Sequence, residues 1–177
     1  MLREAIASDD PVLFFEPKRR YWTKGEVDED AEGLPMGKAR VVTEGSDVTL
    51  VTYGPLVATA IDAAVAASDD GISLEVIDLR SLSPVDFDTV AASVQKTGRL
   101  VITHEASESG GLGAEIAATL TDRCFYYLEA APVRITGFDV PYPAAKLEDH
   151  FLPDLDRILD GVDRALGRVN SLTGWSA

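Results

Sequence analysis

The chain has 177 residues, with 16 Lys or Arg against 30 Asp or Glu and a formal charge of −14. That length suits one domain, or one domain and a fragment of another. The acidity argues against nucleic acid and anionic membrane surfaces as partners, and no apolar run approaches the roughly 20 residues needed to cross a bilayer. A single cysteine, Cys124, excludes an internal disulfide framework and a cysteine-based zinc site. The opening Met1-Leu2-Arg3-Glu4 reaches Asp9 and Asp10 without a long apolar core, so no signal peptide is expected and the cytoplasm is the expected compartment.

Residues 2–7 read as the end of a helix, and residues 11–17, PVLFFEP, as an apolar strand. Two such pieces cannot make a core, so residues 1–22 are expected to be the remnant of an upstream domain. Residues 23–37 combine a run of acids with Gly25, Gly33, Pro35 and Gly37, which is linker chemistry. A second domain is expected over residues 38–169, with a frayed tail at 170–177.

Within that domain strands and helices alternate. Residues 39–43 predict a short strand and residues 44–47 a turn. The β-branched run at 48–53 reads as a buried strand. Pro55 suits a first helical turn, and Leu56, Ala60, Ile61, Ala64 and Val65 recur at helical spacing to about Ser68. A strand follows at 72–79, with Leu74, Val76 and Leu79 inward. Ser83-Pro84 breaks it, Asp86 is placed to cap a helix over 87–96, and Gly98 is placed to close that helix. Leu100, Val101 and Ile102 predict a further buried strand. A glycine-bearing loop at 107–113 leads into a helix over 114–127, with Ile116, Leu120 and Cys124 on one face. Val133, Ile135 and Thr136 mark another strand, residues 137–152 are irregular, and Pro153-Asp154 opens a last helix with an apolar stripe of Leu155, Ile158, Leu159, Val162 and Leu166.

This alternation implies right-handed crossovers and an α/β fold: a three-layer α/β/α sandwich around a mostly parallel sheet. The two closely spaced early strands are expected to pair antiparallel at an edge.

The chemistry candidates are few. The loop Gly110-Gly111-Leu112-Gly113 lies between a strand and a helix, where backbone N–H groups can hold an anion. It lacks the GxGxxG spacing and is not the first βα turn, so a tight turn with close helix packing is the plainer reading. His104 and Glu105 stand at the carboxyl end of a strand, the edge where open α/β sheets bind ligands. A histidine beside a carboxylate can act as a base or a metal ligand. Neighbours on an extended strand point to opposite faces, however, which favours a structural role. His150 has no third ligand near it in sequence to form a zinc site. Asp78 and Arg80 in DLRSLSP share a face, which suggests an ion pair or an interface anchor. Cys124 reads as a small packed hydrophobe. The cluster Lys18-Arg19-Arg20 beside Tyr21 and Trp22 reads as a surface for another subunit.

The string FFEPKRRYW at 14–22, then LPMGKARVVTEGSDVTLVTYG at 34–54, resembles the beta subunit of the thiamine-diphosphate-dependent 2-oxoacid dehydrogenases. The resemblance continues in order through EVIDLRSLSP (75–84), KTGRLVITHEA (96–106), GGLGAEIAA (110–118), APVRITGFDVPYP (131–143) and FLPDLDRI (151–158). It covers nearly the whole chain and is far more specific than any single motif.

The resemblance implies a transketolase C-terminal-like domain after the end of a pyrimidine-binding domain, with Met1 falling where the family is mid-domain. It carries no catalytic, cofactor or metal position onto these residues. Thiamine diphosphate and magnesium belong to the intact assembly and are not expected on this chain, which is expected to be inactive alone. The implied partners are an alpha subunit, a second beta subunit and the subunit-binding domain of the lipoyl acyltransferase. The partner-interface candidates are Asp78, Arg80, Glu129, Asp160 and Asp163. GFDVPYP at 137–143 looks closer to the branched-chain (3-methyl-2-oxobutanoate) enzymes than to pyruvate dehydrogenase. Three alternatives stay open: the same region of a pyruvate dehydrogenase beta subunit, a free-standing interaction module without chemistry, and an independent α/β enzyme using His104 and Glu105.

Overall fold

The computed structural model describes residues 1–26 and 33–168. The expectations for most of the acid run and for the tail at 170–177 lie outside these residues.

Five strands form one sheet: β1 (Arg40–Thr43), β2 (Val48–Thr52), β3 (Leu74–Asp78), β4 (Leu100–Ser107) and β5 (Val133–Gly137). Their order is β1-β3-β2-β4-β5, parallel except for β1. Besides the short α1 (Leu2–Ala7), the helices are α2 (Leu56–Asp69), α3 (Phe87–Thr97), α4 (Leu112–Cys124), α5 (Glu148–Phe151) and α6 (Leu155–Ala165). On one sheet face Val48, Leu50, Val76, Val101 and Ile135 pack with α2 and α6. On the other, Val51, Ile77, Leu100 and Ile102 pack with α3 and α4. The expected three-layer sandwich is therefore the observed one. Central strands covered on both faces bury alternate and intervening positions alike, which is why β2 (VTLVT) is buried throughout and reads as a mostly β-branched run.

Local signals place the helix ends. The Asp86 carboxylate accepts from the Thr89 N–H at 3.3 Å and the Thr89 hydroxyl at 2.7 Å, a cap that stabilises α3 by about 1 kcal/mol. Gly98 closes the same helix in the left-handed conformation, φ 70°. Asp154 caps α6 by accepting from the Arg157 N–H at 2.9 Å. The helix predicted over 114–127 starts two residues earlier and ends at Cys124, and the irregular stretch after β5 contains a 3-10 turn, Ala145–Leu147, and α5.

Three expectations are corrected. Residues 11–17 form no strand, because no other strand among the described residues lies beside them to complete a ladder, and Leu13 and Phe15 are exposed. In α2, Ile61 and Val65 face outward, while Ala60, Ala63, Ala64 and Ala67 face the sheet. That stripe of small side chains lets the helix lie close on β2 and β3. Finally, β1 pairs antiparallel with β3 rather than with its neighbour β2. The turn from β1 to β2 steps across the start of β3, where the N–H groups of Ser46 and Asp47 donate to the Ser73 carbonyl at 3.3 and 2.9 Å.

A buried polar network sits between the sheet and α3. Thr49 Oγ1 bonds Ser93 Oγ and Thr97 Oγ1 at 2.7 Å each. Next to it the buried Glu75 carboxylate pairs with Lys96, which also reaches Glu44 at 3.4 Å. Burial pushes the Glu75 carboxyl up, but hydrogen bonds from Lys96, Ser93 and the Gly45 amide, with the Lys96 charge, hold it below the usual carboxylate range. A carboxyl whose folded value is depressed stabilises the fold above its unfolded value and loses that contribution as pH falls. Lys96→Met removes the main offset to burial, so the carboxyl moves up instead. The expected loss is about 2 kcal/mol near pH 7, held below the usual range for a broken buried pair because Lys96 itself is half-exposed. The loss should shrink as pH falls below about 4, where Glu75 is protonated in variant and unfolded chain alike. Urea unfolding at the two pH values checks this.

Candidate functional site

The strand order reverses between β2 and β4, and in a sheet of this kind the crevice at their carboxyl ends is the expected ligand position. Here that place is filled by His104, which is fully buried; β4 runs on to Ser107, with an irregularity in its pairing after His104, so the histidine lies inside the strand and not at its end as expected. Its Nε2 accepts the Gly113 N–H at 3.0 Å, and its Nδ1 lies 3.2 Å from the Ala106 carbonyl. A neutral imidazole with its proton on Nδ1 satisfies both contacts. Tyr53, from the loop after β2, stacks on the ring with centroids 6.1 Å apart. Burial pushes the His104 pKa down, and the charge of Arg134 adds to this against the Ala106 carbonyl.

The glycine loop is built around that ring. A Cβ on Gly113 would stand 2.4 Å from His104 Nε2, and one on Gly111 would stand 2.4 Å from the Ser107 carbonyl and 2.7 Å from His104 Cε1. The Gly113 amide is committed to His104 and the Ala114 amide to the Gly111 carbonyl. In this arrangement both His104 nitrogens are engaged and the ring has no exposed atom, so it joins β4 to the start of α4. Glu105 points the other way and is half-buried.

Two clefts open elsewhere. One of about 370 Å³ lies between Arg20, the start of α2 and residues 149–155. The other, about 520 Å³, runs along β5 and α6 and carries Arg134, Arg157, Arg164, Asp156 and Asp160. In it Arg134 pairs with Glu108 at 2.9 Å, and Arg157 donates to the carbonyls of Phe151 and Thr136 while lying 4.5 Å from the Phe138 ring.

The structure does not gather the interface candidates into one patch. Asp160 and Asp163 are half-buried on α6, and Asp160 lines the larger cleft. Glu129 pairs with Arg99 beyond α4. Asp78 and Arg80 form no side-chain salt bridge. The Asp78 carboxylate accepts the Arg80 backbone N–H at 3.0 Å, and burial pushes its pKa up. His150 is exposed, and Cys124 is buried, with its thiol 3.8 Å from the Ala91 carbonyl. Among the described residues no three His, Cys, Asp or Glu side chains are grouped to hold a metal, and no helix is long and apolar enough to cross a membrane. Sequence reasoning passed over the exposed aromatic run Phe125, Tyr126 and Tyr127 after α4; its signal was three consecutive aromatics, where a buried helix end would use one.

Residues 37–158 match the family model described as transketolase, C-terminal domain. The chain is 54% identical over 166 residues to the pyruvate dehydrogenase E1 component subunit beta of Leifsonia xyli subsp. xyli, covering 94% of this chain and 49% of that protein. It is equally 54% identical, over 167 residues, to the 3-methyl-2-oxobutanoate dehydrogenase subunit beta of Mycobacterium tuberculosis, covering 94% and 48%. The chain thus spans about half the length of the curated relatives it matches. A solved structure described as "Split gene transketolase, inactive beta4 tetramer" superposes with a TM-score of 0.69 at 29% identity, covering 81% of this chain and 46% of that one.

Proposed function

This chain belongs to the transketolase C-terminal domain family, and from that premise we propose that it forms the C-terminal part of the beta subunit of a 2-oxoacid dehydrogenase of the branched-chain type. The observation that carries the beta-subunit reading, for either substrate type, is the 54% identity to 2-oxoacid dehydrogenase beta subunits along 94% of the chain. In the intact enzyme a 2-oxoacid loses carbon dioxide and its acyl group passes to a lipoyl group. Thiamine diphosphate with magnesium supplies the electron sink for that decarboxylation. The residues of this chain do not fit that cofactor: the described part offers no metal-ligand cluster, and the glycine loop turns its Gly113 amide inward onto His104. On this reading the chain serves assembly.

Its partners on this reading are the alpha subunit, a second beta subunit and the subunit-binding domain of the acyltransferase, in the cytoplasm. A net charge of −14 favours a basic docking partner. Glu129, beside the exposed Phe125–Tyr127 run, and Asp160 and Asp163 on α6 are the acids offered to it; Asp78 and Arg80, tied into the β3–α3 loop, serve the contact with the preceding segment instead.

Calorimetric titration of thiamine diphosphate and magnesium into the chain, alone and with a matching alpha subunit, tests the assembly role. No heat is expected in either case, and saturable binding to the chain alone overturns the reading. The substrate type rests on the segment at 137–143. Relatives named for pyruvate and for 3-methyl-2-oxobutanoate are equally identical, so a pyruvate enzyme is the second reading. The intact enzyme is expected to show the larger kcat/KM with 3-methyl-2-oxobutanoate, and a preference for pyruvate selects the alternative.

A further inference from the structure

Arg80 is the one non-glycine with positive φ among the described residues, at 57°. An L-residue adopts that conformation only where its surroundings hold it there. The loop from β3 to α3 shows what holds it. Arg80 Nη1 donates to the Lys38 carbonyl at 2.9 Å and the Pro35 carbonyl at 3.4 Å, and Nη2 donates to the Leu34 carbonyl at 3.0 Å. Its own N–H is anchored on Asp78. The far end of the same loop grips the same segment: Asp86 accepts the Ala39 N–H at 3.1 Å, and its carboxylate lies 3.5 Å from Lys38 Nζ. Between the two, Gly37 turns with φ 78° against Pro84, where an added Cβ would stand 3.4 Å from the proline ring. Residues 34–38 are nevertheless rich in the residues of a flexible connection.

We propose that the β3–α3 loop is a clamp that locks residues 34–39 onto the sheet domain, with Arg80 as its positioning residue. The planar guanidinium is suited to this task, because its five donors sit in one rigid fork that holds several carbonyls in a set geometry, whereas a lysine ammonium is a compact charge whose three donors rotate freely. The left-handed backbone at Arg80 aims that fork back across the entry to β1. The segment leading into β1 is therefore a strut fixed to the sheet. This inference stands on the loop geometry and is independent of the substrate and cofactor reading.

Amide hydrogen exchange on the full chain tests it with two variants. The reporter is the Lys38 N–H, which donates to the Pro35 carbonyl at 3.2 Å inside the clamped turn. Arg80→Lys keeps the charge and loses the fork. Arg80→Gly also relieves the left-handed strain, so it would stabilise the protein if Arg80 were merely a turn residue. Both variants are expected to speed Lys38 exchange roughly tenfold or more while the β2 amides keep their protection. Unchanged Lys38 exchange in both variants overturns the proposal. So does an equal loss of protection at Lys38 and in β2, which would make Arg80 a support of the whole fold.

Discussion

His104→Phe is expected to destabilise the fold by about 3 kcal/mol, which is large against the total stability of a domain of this size. The variant leaves the Gly113 N–H buried without an acceptor and the Ala106 carbonyl without its ring donor. It also places a bulkier ring where Gly111 and Gly113 already leave no room for a Cβ. Urea unfolding measures the loss. The pH dependence separates this account from simple overpacking. His104 has its folded pKa pushed below the ordinary histidine value by burial, so its contribution is complete above about pH 6.5 and is lost as pH falls through the folded value. Native stability should therefore decline on acidification from neutral pH, and the variant should decline less over the same window. A variant as stable as the native chain, with the same acid profile, would show that the histidine does not join β4 to α4.

Gly45→Ala is expected to cost roughly 3 kcal/mol or more, through a different mechanism. An added Cβ would lie 2.2 Å from the Leu74 carbonyl carbon and 2.3 Å from the Glu75 nitrogen. Those atoms are backbone of β3, a strand paired on both sides, so relief requires shifting the sheet itself. The Gly45 N–H also supports the Glu75 carboxylate at 3.4 Å. Gly25→Ala is the matching control, since nothing lies within 4 Å of its Cβ position, and it should stay within about 0.5 kcal/mol of the native chain. Thermal or urea unfolding of the pair decides the matter: a loss below about 1 kcal/mol at Gly45 would mean the turn from β1 to β2 moves freely over β3.

Much of the fold was legible because its signals are local. Asp86 and Gly98 bound α3 through bonds that span one helical turn. The apolar run of β2 and the stripe of α6 follow from which faces are covered. The site was legible only in part. The placement of His104 on this strand was readable, and so was the crowding expected of the glycine loop, but the continuation of β4 to Ser107 was not. The partner of each ring nitrogen was not, because the loop folds back over the ring only in three dimensions. The same holds for Arg80, whose carbonyl partners lie 42 to 46 residues away in the chain.

The sequence by itself determined the alternation of strands and helices, the caps, the two-faced burial of the central strands and, through motifs spread along its length, the family. Each of these depends on the period of side chains along one element or on contacts within a turn. Only the tertiary structure decided that β1 crosses to β3, that residues 11–17 stay outside the sheet, that alanines rather than Ile61 and Val65 meet β2, and that Arg80 turns from Asp78 to the carbonyls of residues 34–38. Those outcomes depend on which distant backbone groups are left without partners once the sheet is assembled, and a linear pattern does not carry that information.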